Sequence, residues 1–211
     1  RLNTIFKKDS PSKDSPFVII APNDPGAMCQ YVDECIAAKV PYLYDPAFQT
    51  DTFTPTQLKK AVSHAAILIG NDYEIELIAK KLNVTKEKLL SLVPIMITTL
   101  GEKGAVITCH SREGGNLYNN WIPGQARNDT ATIQIKPSKA KKMVDPTGAG
   151  DCFRSGFLAG FTRGFDLQTC GQMGAVAAVY TVEKYGTTTH SFSIKEFSTR
   201  YKENYKTTLN L

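Results

Sequence analysis

No stretch of this 211-residue chain approaches the ~20 consecutive apolar residues that a membrane-spanning helix needs, so no membrane partner is expected. Arg1 to Ser15 is polar and lacks the apolar centre of a secretory signal; the chain also starts on Arg rather than Met, so the start shown need not be the natural one. Cysteine is scarce and unpaired in pattern. The five residues, at 29, 35, 109, 152 and 170, form no C-x-x-C motif and leave one over in any disulfide scheme. That argues against a zinc site or a disulfide framework and for reduced thiols in a cytoplasmic protein. Nor is there a block of one charge. The net charge of +5 is spread over pairs such as Lys7-Lys8, Lys59-Lys60 and Lys80-Lys81, which excludes the basic stripe of a nucleic-acid binder. The tightest group, Lys136, Lys139, Lys141 and Lys142, reads as a solvated loop.

What is present is material for one globular domain, 42% of it hydrophobic. Residues 1–16 read as a linker or edge segment. Beyond them Phe17 to Ala21 is a strand-like apolar run closed by the turn Pro22-Asn23-Asp24-Pro25-Gly26. Met28, Tyr31, Val32, Cys35 and Ile36 then recur at helical spacing, and Tyr42-Leu43-Tyr44 is the next strand. Thr54 and Pro55 start a helix as cap and first residue, and Ala66 to Ile69 is a third strand. This alternation predicts an α/β fold with a mostly parallel sheet, whose ligands gather at the carboxyl ends of the strands. One such end carries Asn71 and Glu74, spaced as a helix cap and its capping-box partner. Ile95 to Thr99 and Ala105 to Thr108 are further strands around Gly101 and Gly104.

The densest signal is Asp145-Pro146-Thr147-Gly148-Ala149-Gly150-Asp151, followed by an apolar helix. The first N–H groups of a helix lack internal partners and carry partial positive charge, so this junction suits an anion. A carboxylate beside that anion repels it, so Asp151 is expected to serve differently, by accepting a proton from an attacking hydroxyl. A P-loop would need Lys and then Ser or Thr after Gly150, and a dinucleotide fingerprint would need glycine where Phe153 stands. Phe153, Phe157 and Phe161 form a buried stripe with Asp151 facing away, and Gly156 and Gly160 invite close approach by the small residues Gly171, Gly174, Ala175 and Ala178 of a second helix. Cys152, next to Asp151, is read as a packing residue rather than a nucleophile because no His motif is nearby in sequence.

The stretch Asp145 to Asp151 resembles the C-terminal signature of the PfkB-type carbohydrate kinases, the ribokinase-like group that includes adenosine kinases. The resemblance spans about residues 17–206. It implies a three-layer αβα fold and an ATP-dependent phosphotransferase acting on a hydroxyl of a sugar or nucleoside. On that basis Gly148, Ala149 and Gly150 cradle the transferring phosphoryl group and Asp151 is the general base. Asn71 lies near the nucleotide phosphates, and Glu74 near Mg²⁺ through water. Thr99 and Gly101 belong to a loop under the phosphates. Gly186 and His190 belong to a loop closing over the base, where His190 stacks on adenine or is a simple turn residue. Carbonyls around Asp145 and Thr147 are expected to hold K⁺. Asp24-Pro25 and Asp45-Pro46-Ala47-Phe48-Gln49 resemble the adenosine-kinase-like branch, which favours a nucleoside.

The departures from the family are also specific. Its early glycine pair, much of its acceptor pocket and its β-lid have no counterpart before Phe17, and 110–131, with His110 and Trp121, reads as an inserted surface loop where the family has a brief turn. The alternative to an active kinase is therefore a truncated nucleotide-binding remnant or one part of a split kinase. Edge strands left unpaired by the missing part predict association, as a homodimer or with a complementing N-terminal segment.

Overall fold

A computed structural model of the chain describes residues 16–110 and 130–211. Most of the expected linker, and positions 111–129 of the expected insertion with Trp121, lie outside the described residues. Six strands form one sheet whose order follows the chain: β1 (Val18–Ile20), β2 (Tyr42–Tyr44), β3 (Ile67–Asn71), β4 (Ile95–Thr99), β5 (Ala105–His110) and β6 (Thr130–Ile135). The first three run parallel, with Val18 opposite Tyr42 and Leu43 opposite Ile67. Parallel neighbours need crossovers, and helices α1 (Pro25–Ala38) and α2 (Pro55–His64) supply them. Helices α3 (Asp72–Lys81) and α4 (Lys86–Leu90) lead to β4, and α5 (Ala149–Phe161), α6 (Leu167–Val182) and α7 (Ile194–Tyr205) follow β6. Strand β5 reaches His110 and β6 starts at Thr130, so regular pairing enters both ends of the expected insertion.

The described residues fall into two compact units, 16–98 with 108–110 and 130–131, and 99–107 with 132–211. In the first, Tyr42, Tyr44, Leu58, Leu68, Ile75 and Ile78 are buried together, and the Tyr42 hydroxyl donates to Ala61 O at 2.6 Å. All of β2 is buried, as expected for a strand covered on both faces. Helix α1 begins earlier than the sequence suggests, inside the predicted turn. The Asp24 side chain accepts the Ala27 N–H at 2.9 Å, and Pro25 at the first helical position loses nothing by lacking an N–H. Thr54 caps α2 as expected, and Gln57 closes the box.

In the second unit α5 packs tightly on α6. Phe153, Phe157 and Phe161 are buried, each contributing about 1.5–3 kcal/mol. A Cβ on Gly156 would sit 2.7 Å from Met173 O and 2.8 Å from Ala177 Cβ, so only glycine permits this approach. Helix α7 packs Phe197 and Tyr201 with Met173, Val176 and Ala177 of α6. Arg200 and Glu183 pair at 3.0 Å with little exposure, and the Arg200 guanidinium lies 4.1 Å from the centre of the Tyr180 ring. Glu183 also accepts the Lys141 N–H at 2.6 Å, which fastens the basic loop to the end of α6. Among the described residues no helix is long and apolar enough to cross a membrane.

Candidate active site

The loop entering α5 is held from several directions. The N–H groups of Val144 and Asp145 both donate to Val182 O, at 2.7 and 3.2 Å. The Asp145 carboxylate then accepts from Thr147 N at 2.9 Å and from Gly186 N at 3.0 Å. Bonding from the Thr147 side chain, then from the Gly186 and Thr147 amides, holds its pKa below the ordinary aspartate value. One carboxylate thus ties the signature loop to the turn at Gly186.

Gly148 is the N-cap of α5, at φ +82°, and a Cβ there would lie 3.0 Å from Thr187 Cγ2. Six of the seven described α-helices have a side chain accepting an N–H of their first turn: Asp24, Thr54, Asn71, Thr85, Asp166 and Ser193. Helix α5 has none. Its first turn is therefore the one left to be satisfied from outside. Of the expected cradle, the Ala149 N–H is engaged within the loop, donating to Pro146 O at 3.1 Å. Gly150 is a helical residue, and apart from its chain neighbours and the helix's own backbone nothing lies within 4 Å of where a Cβ would stand. Alanine would suit that helix better by about 0.5–1 kcal/mol, so packing does not account for a glycine facing open space.

A cleft of about 660 Å³ opens beside this helix start. It brings together Thr99, Gly101, Ala149 and Gly150 of the expected set, and Ala175, Ala178 and Val179 of α6 give it an apolar wall. Its size is that of a small-molecule site. Lys139 and Ser138, which the sequence does not assign to the site, also line it, and the buried Ser138 hydroxyl has no hydrogen-bond partner among the described residues. Asp151 stands in the first turn of α5 with its side chain 68% exposed. Arg154, 11% exposed, donates from Nη2 to Asp151 Oδ1 at 2.8 Å. Arg154 is likewise absent from the sequence-based set; the acid–base spacing of three on a helix is its only signal.

Gly148, Asp151 and Gly186 are not among the residues lining this cleft, and Asn71 and Glu74 belong to the first unit. In the first unit Asn71 ends β3 and caps α3: its Oδ1 accepts the Glu74 N–H at 2.8 Å, and Glu74 Oε2 accepts the Asn71 N–H at 2.8 Å. The capping box that spacing alone predicts is therefore complete. It uses one Glu74 oxygen. No group of three or more His, Cys, Asp or Glu side chains gathers as a metal cage among the described residues. A single carboxylate fits an ion such as Mg²⁺, which is commonly held by phosphates, water and one or two carboxylates. His190 does not line the cleft. It faces a separate cavity, stacked on Phe192 with ring centroids 6.4 Å apart, and its Nε2 lies 3.4 Å from Cys152 Sγ.

Known proteins are similar to this chain over most of its length. A nucleoside kinase of Methanothermobacter thermautotrophicus is 32% identical over 178 residues, 84% of this chain and 51% of its own length. The adenosine kinase of Saccharomyces cerevisiae is 29% identical over 61% of this chain and 36% of its own. The structure of Burkholderia thailandensis nucleoside kinase in complex with ADP-inosine superposes with a TM-score of 0.80 at 28% identity, over 93% of this chain and 56% of that one. The fold is accordingly ribokinase-like α/β, and the chain spans about half the length of the curated relatives it matches. The profile of the pfkB family carbohydrate kinases matches residues 12–194, a span that includes the whole α5 signature and its cleft, and the chain belongs to that family.

Proposed function

We propose that this chain carries the donor side of an ATP-dependent phosphotransferase whose acceptor is a hydroxyl of a nucleoside or sugar, with a nucleoside favoured. The observation that carries the reading is the uncapped start of α5, where Gly150 faces open space on the wall of a cleft that also holds Thr99 and Gly101. The relatives named above, nucleoside and adenosine kinases, support the nucleoside.

In this reading the base of ATP lies along the apolar α6 wall, with the Gly186 turn nearby. The terminal phosphate meets the Gly148 and Gly150 amides of the expected cradle, while the Ala149 N–H stays bonded to Pro146 O. Fixed donors stabilise charge on the transferring group without reorganising at the moment of reaction. Asp151 accepts the proton of the acceptor hydroxyl as that oxygen attacks the terminal phosphorus, the bridging P–O bond breaks and ADP leaves. Arg154 keeps the carboxylate oriented, so the catalytic contribution is largely one of placement. Glu74 would hold Mg²⁺ through water, with Asn71 near the phosphates, and the ion would supply charge neutralisation on the phosphate oxygens. Carbonyls around Asp145 and Thr147 are the place for K⁺.

Calorimetric titration with ATP–Mg²⁺, run beside an ATP-consumption assay with adenosine, inosine, ribose and fructose, tests this. The proposal expects ATP binding and faster consumption with a nucleoside than with a sugar. Binding without consumption for any acceptor would instead make the chain a nucleotide-binding module, and absence of binding would overturn the donor site itself.

A further inference from the structure

The cavity that holds His190 is separate from the cleft at the start of α5. About 440 Å³ in volume, it lies against α5, α6 and the segment before α7. Cys152, Met173, Phe192, Phe197 and Leu211 line it, and Arg163 adds a guanidinium. The Cys152 thiol, half-buried on this wall, has polar partners brought from other elements. His190 Nε2 is 3.4 Å away, brought from 38 residues along the chain. The Thr181 hydroxyl donates to Sγ at 2.6 Å, and Cys152 is the fourth residue of α5, near its N-terminal end. A packing cysteine needs neither an imidazole nor a cavity in front of it.

We propose that Cys152 is a modification site for low-molecular-weight disulfides, which enter this cavity and exchange with its thiol. The Cys152 proton passes to His190, and Sγ attacks one sulfur of the disulfide. A new S–S bond forms as the old one breaks, and the departing thiolate takes up the proton from His190 to leave as a free thiol. The chain ends as a mixed disulfide and the reagent as one thiol, with no other oxidant needed. Carboxylates on the reagent are complementary to Arg163 on the cavity wall, whose Nη1 also donates to Ala159 O at 2.7 Å.

The remaining cysteines provide the internal control. Cys35, Cys109 and Cys170 are buried. Cys29 is half-buried like Cys152, but burial and the neighbouring Asp33 push its thiol upward, which lowers its thiolate fraction.

The test treats the folded chain with glutathione disulfide and maps the adducts over time by mass spectrometry. Cys152 is expected to react at least about tenfold faster than Cys29, and His190→Gln to remove most of that advantage while leaving the Cys29 rate unchanged. The ratio in the unsubstituted protein needs no variant, so a poorly folded His190→Gln does not blunt the experiment. Cys29 reacting as fast as Cys152, or a Cys152 rate indifferent to His190→Gln in a folded variant, would overturn the proposal.

Discussion

Helices α3 and α5 both begin where a loop or strand end turns into a helix with an acidic first turn, yet they solve the start in opposite ways. In α3 the side chains of Asn71 and Glu74 satisfy the first turn and the Asn71 amide reciprocally, at 2.8 Å each. In α5 the cap is a glycine at φ +82°, and the next glycine leaves open space where a side chain would stand. A box that is closed supplies stability by itself. A start that is left bare loses that stability unless something else binds there, and the cleft beside Gly150 shows where it would come from.

The contrast breaks first at Asp151. Asp151→Asn should lower phosphoryl transfer by about 10²–10⁴-fold with ATP affinity little changed, as expected for loss of a general base. Steady-state ADP release and calorimetry read the two quantities separately; transfer at the parental rate would remove the assigned role. Within the same helix, Gly156→Ala should cost about 1–3 kcal/mol in chemical denaturation, because its methyl would meet Met173 O and Ala177 at under 3 Å. That variant measures what a glycine needed for packing is worth, against which Gly150 can be judged. The smallest effect belongs to α3. Asn71→Ala should cost about 1 kcal/mol, a fall of about 2–4 °C in melting temperature. If ATP affinity falls as well, Asn71 also serves the phosphates; if it does not, the box is only a cap.

The fold is legible in the sequence where local chemistry is strong. Thr54-Pro55 starts the helix it is expected to start, and of the small α6 residues expected against α5 Gly174 meets Gly156, whereas Gly171 faces Ile107 and Ile135 of the sheet and Gly160 meets Met173 and Cys170. Strand and helix limits are less legible where one residue has two uses, as with Asn71, which both ends β3 and caps α3, and Pro25, which reads as a turn residue but opens α1. In the site, motif residues contiguous in sequence are visible and partners distant in sequence are not. Lys139 reaches the cleft only through the path of its loop. The absence of a nearby His motif argues against Cys152 as a nucleophile, yet folding places His190 3.4 Å from its sulfur. Spacing encodes neighbours along one element, and these pairings arise from packing between elements.

Gly150→Ala asks most directly whether the bare helix start is a phosphate site. The methyl enters space that no part of the protein beyond its own helix backbone and chain neighbours approaches within 4 Å, so the variant should melt at or above the parental temperature. Titrated with ATP–Mg²⁺, it is predicted to bind about tenfold or more weakly, a loss of about 1.4 kcal/mol. Unchanged affinity in a variant of equal or greater stability would contradict the assignment of the α5 N-terminus as the place where the nucleotide phosphates are held.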